Sequence, residues 1–445
     1  MSTRSPLLAC PDDILLLILE QCETGSISNL SLACKALRPR CIPQLYREVD
    51  LSSHNIGRFS EHEGPTIRPE YQLWTHLNDS HRPETLLPAQ RSFLRTLCEY
   101  PDYAKYIRSF TWTLIWYDEH AKEEPRAMTE IDYHTWDVFS RMERVETLDL
   151  AAIALDKSWD DYCREPPPTL FPRVTDLRLV GWFPHKIVVN IFNSIDLSKL
   201  RALRLDSLQE EGRDSNGSPV SEDFNKQHWE DQKRAQLCED RRKGVTPADD
   251  GIIYPGPMWI PFLPLIGRFT SLQSLEIAIP PLEDASNGSS LSDSPVCPDY
   301  TTYISVMEEL IDSVSPSLEQ LSIEYARAAE PHGGLTSGTL SLRMGNAEPI
   351  LNSFFSRFGI DDCKWKPLKS VSLRGFLERK DLVRDPPERA NRYFRGRWLG
   401  PSNLERMRNM RAVQARIEAF VSSKGGSLEW VDGSPRPVFN YMGYI

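Results

Sequence analysis

Residues 200–205 read LRALRL: an apolar residue, two variable ones, a second apolar residue, one variable, and a third apolar residue. The same pattern stands at 145–150 (VETLDL), 174–179 (VTDLRL), 272–277 (LQSLEI), 318–323 (LEQLSI) and 368–373 (LKSVSL). Weaker copies are Tyr46, Val49, Leu51 and Ile107, Phe110, Trp112. Alternation over the last three positions predicts a short strand with one buried face, and the leading apolar residue marks where the chain turns into it. Helical stretches at 136–142, 187–195, 303–314 and 350–358 lie between copies. Strand then helix, repeated, predicts an α/β fold with a parallel sheet whose strands share one face. An ordinary α/β domain with six similar strands is the competing explanation of the same pattern.

The N-terminal fifty residues follow a different rule. From Cys10 the chain reads CPDDILLLILEQC, with Pro11 suited to a first helical turn and Asp12 and Asp13 at the positive end of the helix dipole. The apolar run 14–19 is too wide for one stripe, so this helix is expected to be covered on more than one side, by its own domain and by a partner. A second segment, SISNLSLACKAL at 26–37, places Leu30, Ala33, Cys34 and Leu37 at helical spacing, with Ser26 or Ser28 available as N-cap. Pro39 and Pro43 are then expected to break regularity.

Residues 8–52 resemble an F-box, the helical module that plugs a substrate receptor into the Skp adaptor of cullin-based ubiquitin ligases. The family's opening Leu-Pro pair, acidic residues and apolar helix correspond to Cys10, Pro11, Asp12, Asp13, Ile14, Leu15, Ile18 and Leu19, with Cys10 departing from the usual leucine. Its second part corresponds to Leu30, Leu32, Ala33, Cys34, Lys35 and Leu37, and IPQLYREVDLS at 42–52 is similar to fungal F-box proteins. A helical hairpin that merely caps the rest of the fold is the alternative. The third and fourth copies, at 145 and 174, are spaced like leucine-rich repeats, whereas those from 200 onward lie about 45 to 70 residues apart. The array therefore resembles the degenerate leucine-rich repeats that follow many F-boxes, and implies an irregular, curved solenoid.

The resemblance implies three parts: a three-helix F-box at 1–52, an irregular leucine-rich-repeat-like domain at 53–430, and a tail at 431–445. Polar stretches at 209–256 and 283–299 are too poor in apolar residues to offset the cost of ordering and are expected to be inserts. Hydrophobic residues make up 40% of the 445, enough for a substantial core. The net charge of -11 is uneven, because 364–424 holds 16 Lys and Arg against 6 Asp and Glu. Within it Arg392, Arg395 and Arg397 alternate with Tyr393, Phe394 and Trp398, and 403–421 patterns as a helix capping the end of the array. A structural role there is favoured over an acidic partner, and that over nucleic acid.

The nine cysteines form no CxxC pair, and no apolar run approaches a membrane span. No signal peptide is recognisable, so a reducing cytoplasmic or nuclear location is expected, with no membrane partner. GxSxG, phosphate-loop and HExxH motifs are all missing from the sequence. The expected protein has no catalytic residue, cofactor or metal. It is a substrate receptor that docks on the Skp-type adaptor, and through it a cullin, by Pro11, Ile14, Leu15, Ile18, Leu19, Leu30, Leu32, Cys34 and Leu37. Alternation sends Asp149, Arg178, Arg204, Glu276, Glu324 and Arg374 to the face opposite the buried anchors, where they would meet a protein client. Trp182, Tyr325 and Phe376, each just past a strand, are added as anchors. Action with the adaptor outside a ligase, and a repeat-based interaction scaffold, remain open alternatives.

Overall fold

The computed structural model describes residues 10–52, 83–114, 129–152, 169–183, 185–210, 256–279, 298–325, 351, 354–355, 365, 367–374 and 401–431. Three helices come first: α1 (Asp12–Glu20), α2 (Thr24–Ala33) and α3 (Arg38–Leu45). Pro11 is the N-cap of α1, and Asp12 and Asp13 occupy its first turn. The second helix departs from expectation at both ends. It starts at Thr24, with Glu23 as N-cap, so Ser26 and Ser28 lie inside it; it stops at Ala33 because Cys34 is extended, at φ -141° and ψ 112°. Pro39 and Pro43 do not end the regular structure either. Pro39 sits in the first turn of α3, where its missing N–H would be unbonded anyway, and Pro43 removes one bond further along.

These helices share a small core of Leu15, Leu19, Ile27, Leu37 and Cys41, with Cys22, Leu30, Cys34 and Leu45 packed against it. Arg40 pairs with Asp12 at 2.7 Å, and Arg47 donates to Glu20 at 3.0 Å, so α1 is fastened to α3 and to the residue entering the sheet.

Nine strands then form one parallel sheet in chain order: β1 (Glu48–Leu51), β2 (Ser109–Leu114), β3 (Thr147–Ala152), β4 (Asp176–Trp182), β5 (Ala202–Glu210), β7 (Ser274–Ile279), β8 (Gln320–Tyr325), β9 (Ser370–Arg374) and β10 (Ser427–Val431). The two-residue β6 (Gly256–Pro257) pairs antiparallel with the end of β5. Thus the first stretch expected to be an insert begins with residues of β5 and ends in β6; the interval 211–255 lies outside the described residues.

Register repeats from strand to strand. Phe110, Leu148, Leu177, Leu203, Leu275, Leu321 and Val371 form one apolar row, and Trp112, Leu150, Leu179, Leu205, Ile277, Ile323 and Leu373 the next. A slip of one residue would turn each row to the opposite face, so the burial of both rows fixes the pairing. The leading residues of the pattern, from Ile107 to Leu368, are buried in the same core. Just after each from Ile107 to Leu318, one carbonyl accepts two N–H groups from the following copy. Arg201 O, for example, receives Gln273 N at 2.8 Å and Ser274 N at 2.9 Å, and Gln273 O receives Glu319 N at 2.8 Å and Gln320 N at 2.9 Å.

Helices α4 (Pro83–Glu99), α5 (Thr135–Ser140), α6 (His185–Ser194), α7 (Pro298–Val314) and α8 (Pro401–Ser423) cover the apolar face, contributing Leu94, Phe139, Ile191, Leu310 and Ile417 among others to one continuous core. The expected helices at 136–142, 187–195, 303–314 and 403–421 are therefore present, while most of 350–358 lies outside the described residues. Gln90 of α4 donates to Leu51 O at 2.8 Å and to Thr113 O at 2.9 Å, anchoring that helix to β1 and β2. The fold is α/β. No helix among the described residues is long and apolar enough to cross a membrane.

Strand β10 is an addition to what the sequence pattern predicts. Gly425 stands where the pattern's leading apolar residue would be, with φ +71°; Gly426 N donates to Val421 O at 3.1 Å and Gly425 N to Ser422 O at 3.0 Å. That pair of bonds closes α8 with a left-handed glycine and turns the chain straight into the strand.

Candidate functional site

Two surfaces hold the residues singled out by sequence. The first is the outer side of α1 and α2. Leu15 and Leu19 are each 1% exposed and Leu37 is 5% exposed, so these three belong to the module's own core and are not available to a partner. Cys34 and Leu30 are half-buried against that core, and Pro11 is exposed. Ile14, Leu17 and Ile18 are 44%, 59% and 41% exposed, and on α2 Leu32 is 80% exposed. At 100° per residue Ile14, Leu17 and Ile18 fall on one stripe of α1, and Leu15 and Leu19 on the neighbouring one that faces the core.

Leu16 and Leu17 were not among the expected adaptor contacts, although both are exposed. The sequence carries the signal only in part. Helical period separates 14, 17 and 18 from 15 and 19, but an unbroken apolar run does not say which stripe turns inward. Five of the eight exposed large apolar side chains among the described residues lie on α1 and α2, which makes this module the main apolar surface described. Their exposures together equal between two and three whole side chains, so covering them is worth about 4–8 kcal/mol before association costs.

The second surface is the polar face of the sheet. Alternation does place Asp149, Arg178, Arg204, Glu276, Glu324 and Arg374 there, but largely in contact with one another. Arg178 donates through Nε to Asp206 at 2.8 Å and through Nη1 to Asp149 at 3.3 Å. Burial alone would lower the Arg178 pKa, yet the Asp206 and Asp149 carboxylates outweigh it and hold the guanidinium charged above its ordinary range. Arg204 pairs with Glu276 at 3.2 Å and Arg374 with Glu324 at 3.7 Å.

Asp149 and Glu324 are buried, which corrects the expectation that they are presented to a client; each is drawn down between neighbouring strands by an arginine one strand away. Arg204 is half exposed and Arg374, Arg178 and Glu276 partly so, so of the six these four remain accessible. Asp206, unforeseen because it lies one position past the apolar pattern, completes the cluster around Arg178. Trp182 and Tyr325 end β4 and β8, their side chains outside the described set, and Phe376 lies outside the described residues, as does the basic aromatic stretch at 392–398. No cluster of His, Cys, Asp and Glu suited to a metal ion occurs among the described residues. No protein-family model matches the chain, and no curated protein is similar to it.

Proposed function

We propose that this chain is the substrate receptor of a cullin-based ubiquitin ligase, working in the cytoplasm or nucleus. Its N-terminal helices dock on the Skp-type adaptor as an F-box, and its sheet, a solenoid of irregular leucine-rich repeats, holds a protein client. The chain supplies proximity, and the transfer chemistry belongs to the conjugating enzyme brought to the same ligase. The observation that carries this reading is the outward apolar stripe Ile14, Leu17, Ile18 on a small helical module whose own core is satisfied by Leu15 and Leu19. Exposed leucine and isoleucine on that scale need a covering partner. The strand-by-strand register supports the repeat part of the proposal.

The test is capture of purified Skp-type adaptor by the full chain and by its Leu17→Asp and Ile18→Asp variants, with circular dichroism on each. Wild type is expected to capture the adaptor, and both variants to lose it while keeping the wild-type spectrum. Failure of the wild type to bind would sink the proposal. Leu15→Asp is the wrong probe, because it buries a charge in the module's core and unfolds the surface it was meant to test.

A further inference from the structure

The polar face of the sheet points to the chemistry of the client. Across the nine strands that face carries eight carboxylates against three guanidinium groups. All three arginines are engaged within the sheet: Arg178 with Asp149 and Asp206, Arg204 with Glu276, Arg374 with Glu324. Glu48, Asp50, Asp176 and Glu429 form no ion pair among the described residues. Asp50 accepts from the Ser52 hydroxyl at 2.6 Å and Asp176 from the Thr175 hydroxyl at 2.9 Å, contacts that leave the negative charge in place. Glu48, Asp50 and Glu429 are exposed, and Asp176 is partly so.

Between the acids the face is shallow. The row that contains Glu48 and Asp176 is otherwise built mostly from Ser109, Thr147, Ala202, Ser274, Ser370 and Ser427, side chains too short to keep an extended chain at a distance. The sign of the field disfavours nucleic acid and anionic membranes, and the absence of a convergent metal cluster among the described residues argues against a bound cation.

We infer that this face receives an extended polypeptide segment rich in Lys and Arg, running across the strands. This rests on the receptor proposal for its biological meaning, but not for its physics. Glu48 lies on the first strand of the sheet and Asp176 on the fourth, in the same shallow row, with Ser109 and Thr147 between them; Asp50 and Glu429 stand one row on. At about 4.8 Å between strands Glu48 and Asp176 are roughly 14 Å apart. An extended segment advances about 3.3 Å per residue, so matching basic side chains stand about four residues apart, on one face of the segment.

The experiment is fluorescence anisotropy of a labelled Arg/Ser/Gly peptide with arginines at that spacing, titrated with the full chain. Binding is expected at low ionic strength, with at least a tenfold loss between about 0.05 and 0.5 M salt, and none for the same peptide with Glu in place of Arg. Glu48→Gln combined with Asp176→Asn, which preserves shape, should weaken binding about three- to tenfold. Asp13→Asn combined with Glu23→Gln removes the same charge from α1 and its neighbour and should leave binding unchanged. No binding by wild type, or equal losses in the two double variants, would overturn the inference. Leu17→Asp separates the two proposals, because it should abolish adaptor capture and leave the peptide affinity intact.

Discussion

Arg91 and Asp132 form the buried ion pair that fastens α4 to the 3-10 turn Glu130–His134 leading into α5. Arg91 Nε donates to both carboxylate oxygens at 3.1 Å and Nη2 to one of them at 2.9 Å; Thr129 adds its N–H at 2.7 Å and its hydroxyl at 2.8 Å. The two charged side chains are 5% and 0% exposed, so neither is rehydrated when the other is removed. Arg91→Met and Asp132→Asn should therefore each cost about 3–5 kcal/mol, a large share of a typical folding free energy. Their combination leaves no buried charge, and the amide oxygen introduced by Asp132→Asn would still accept from Thr129. The double variant is expected to be no worse than either single one, giving a favourable coupling of at least about 2 kcal/mol. Urea midpoints of the four proteins, followed by tryptophan fluorescence, measure the cycle. Additive losses to within about 0.5 kcal/mol would refute it, and would mean that the two charges act independently of one another.

Three further outcomes follow from local geometry. Gly181 has φ +88° and an added Cβ would stand 2.4 Å from Ala152 O, whereas Gly267, at φ +80°, has open space around it. Gly181→Ala should cost about 3 kcal/mol or more and Gly267→Ala about 1 kcal/mol, by urea midpoint. Asp196 caps the turn Leu197–Lys199; hydrogen bonds from Lys199 and then Ser198 hold its pKa down, from the usual 3.8 to about 2. A depressed folded pKa stabilises above the unfolded value and is lost as pH falls toward 2, so the carboxyl carbon shift should titrate near 2 and move upward in Lys199→Ala. Burial first, then neighbouring Cys22 and Cys34, raise the Cys41 thiol pKa. Maleimide should label exposed Cys98 quickly and reach Cys41 only on unfolding, as read by peptide mass.

The sheet was legible in the sequence because one physical rule sets it. A half-buried strand must alternate, and the turn into it must bury its leading residue, so LRALRL and its relatives show both strand and register. The rule fails where glycine replaces that leading residue, as at Gly425, and β10 escapes notice although Leu428 and Trp430 alternate as required. Helix ends were less legible. Ser26 and Ser28 are good capping residues by chemistry, yet Glu23 stands at the N-cap position of α2 without a side-chain capping bond, because packing of Ile27 against Leu15 and Leu19 sets where the helix must lie. The charged positions were correctly placed on the polar face, but their use was not. Whether Asp149 meets a client or an arginine depends on the residue one strand away, and Arg178 lies 29 positions along the chain.

Under the receptor proposal a client is held at a fixed place, so the junction between the helical module and the sheet matters as much as either surface. Here that junction is continuous. Arg47, two residues after α3, gives its side chain to Glu20 of α1 and its carbonyl to the N–H groups of Arg108 and Ser109, at 2.9 and 3.0 Å. Tyr46 beside it packs on Tyr103 at 5.1 Å and stacks on Phe93 of α4 at 6.3 Å between ring centroids. The residue that ends the helical module is thus the residue that begins the ladder of paired carbonyls along the sheet. A hinge at this point would require breaking the ion pair, the two backbone bonds and the aromatic contacts together. The outward stripe of α1 is therefore held in fixed relation to the first strands, and a segment lying on Glu48 would stand at a set distance from whatever covers Leu17.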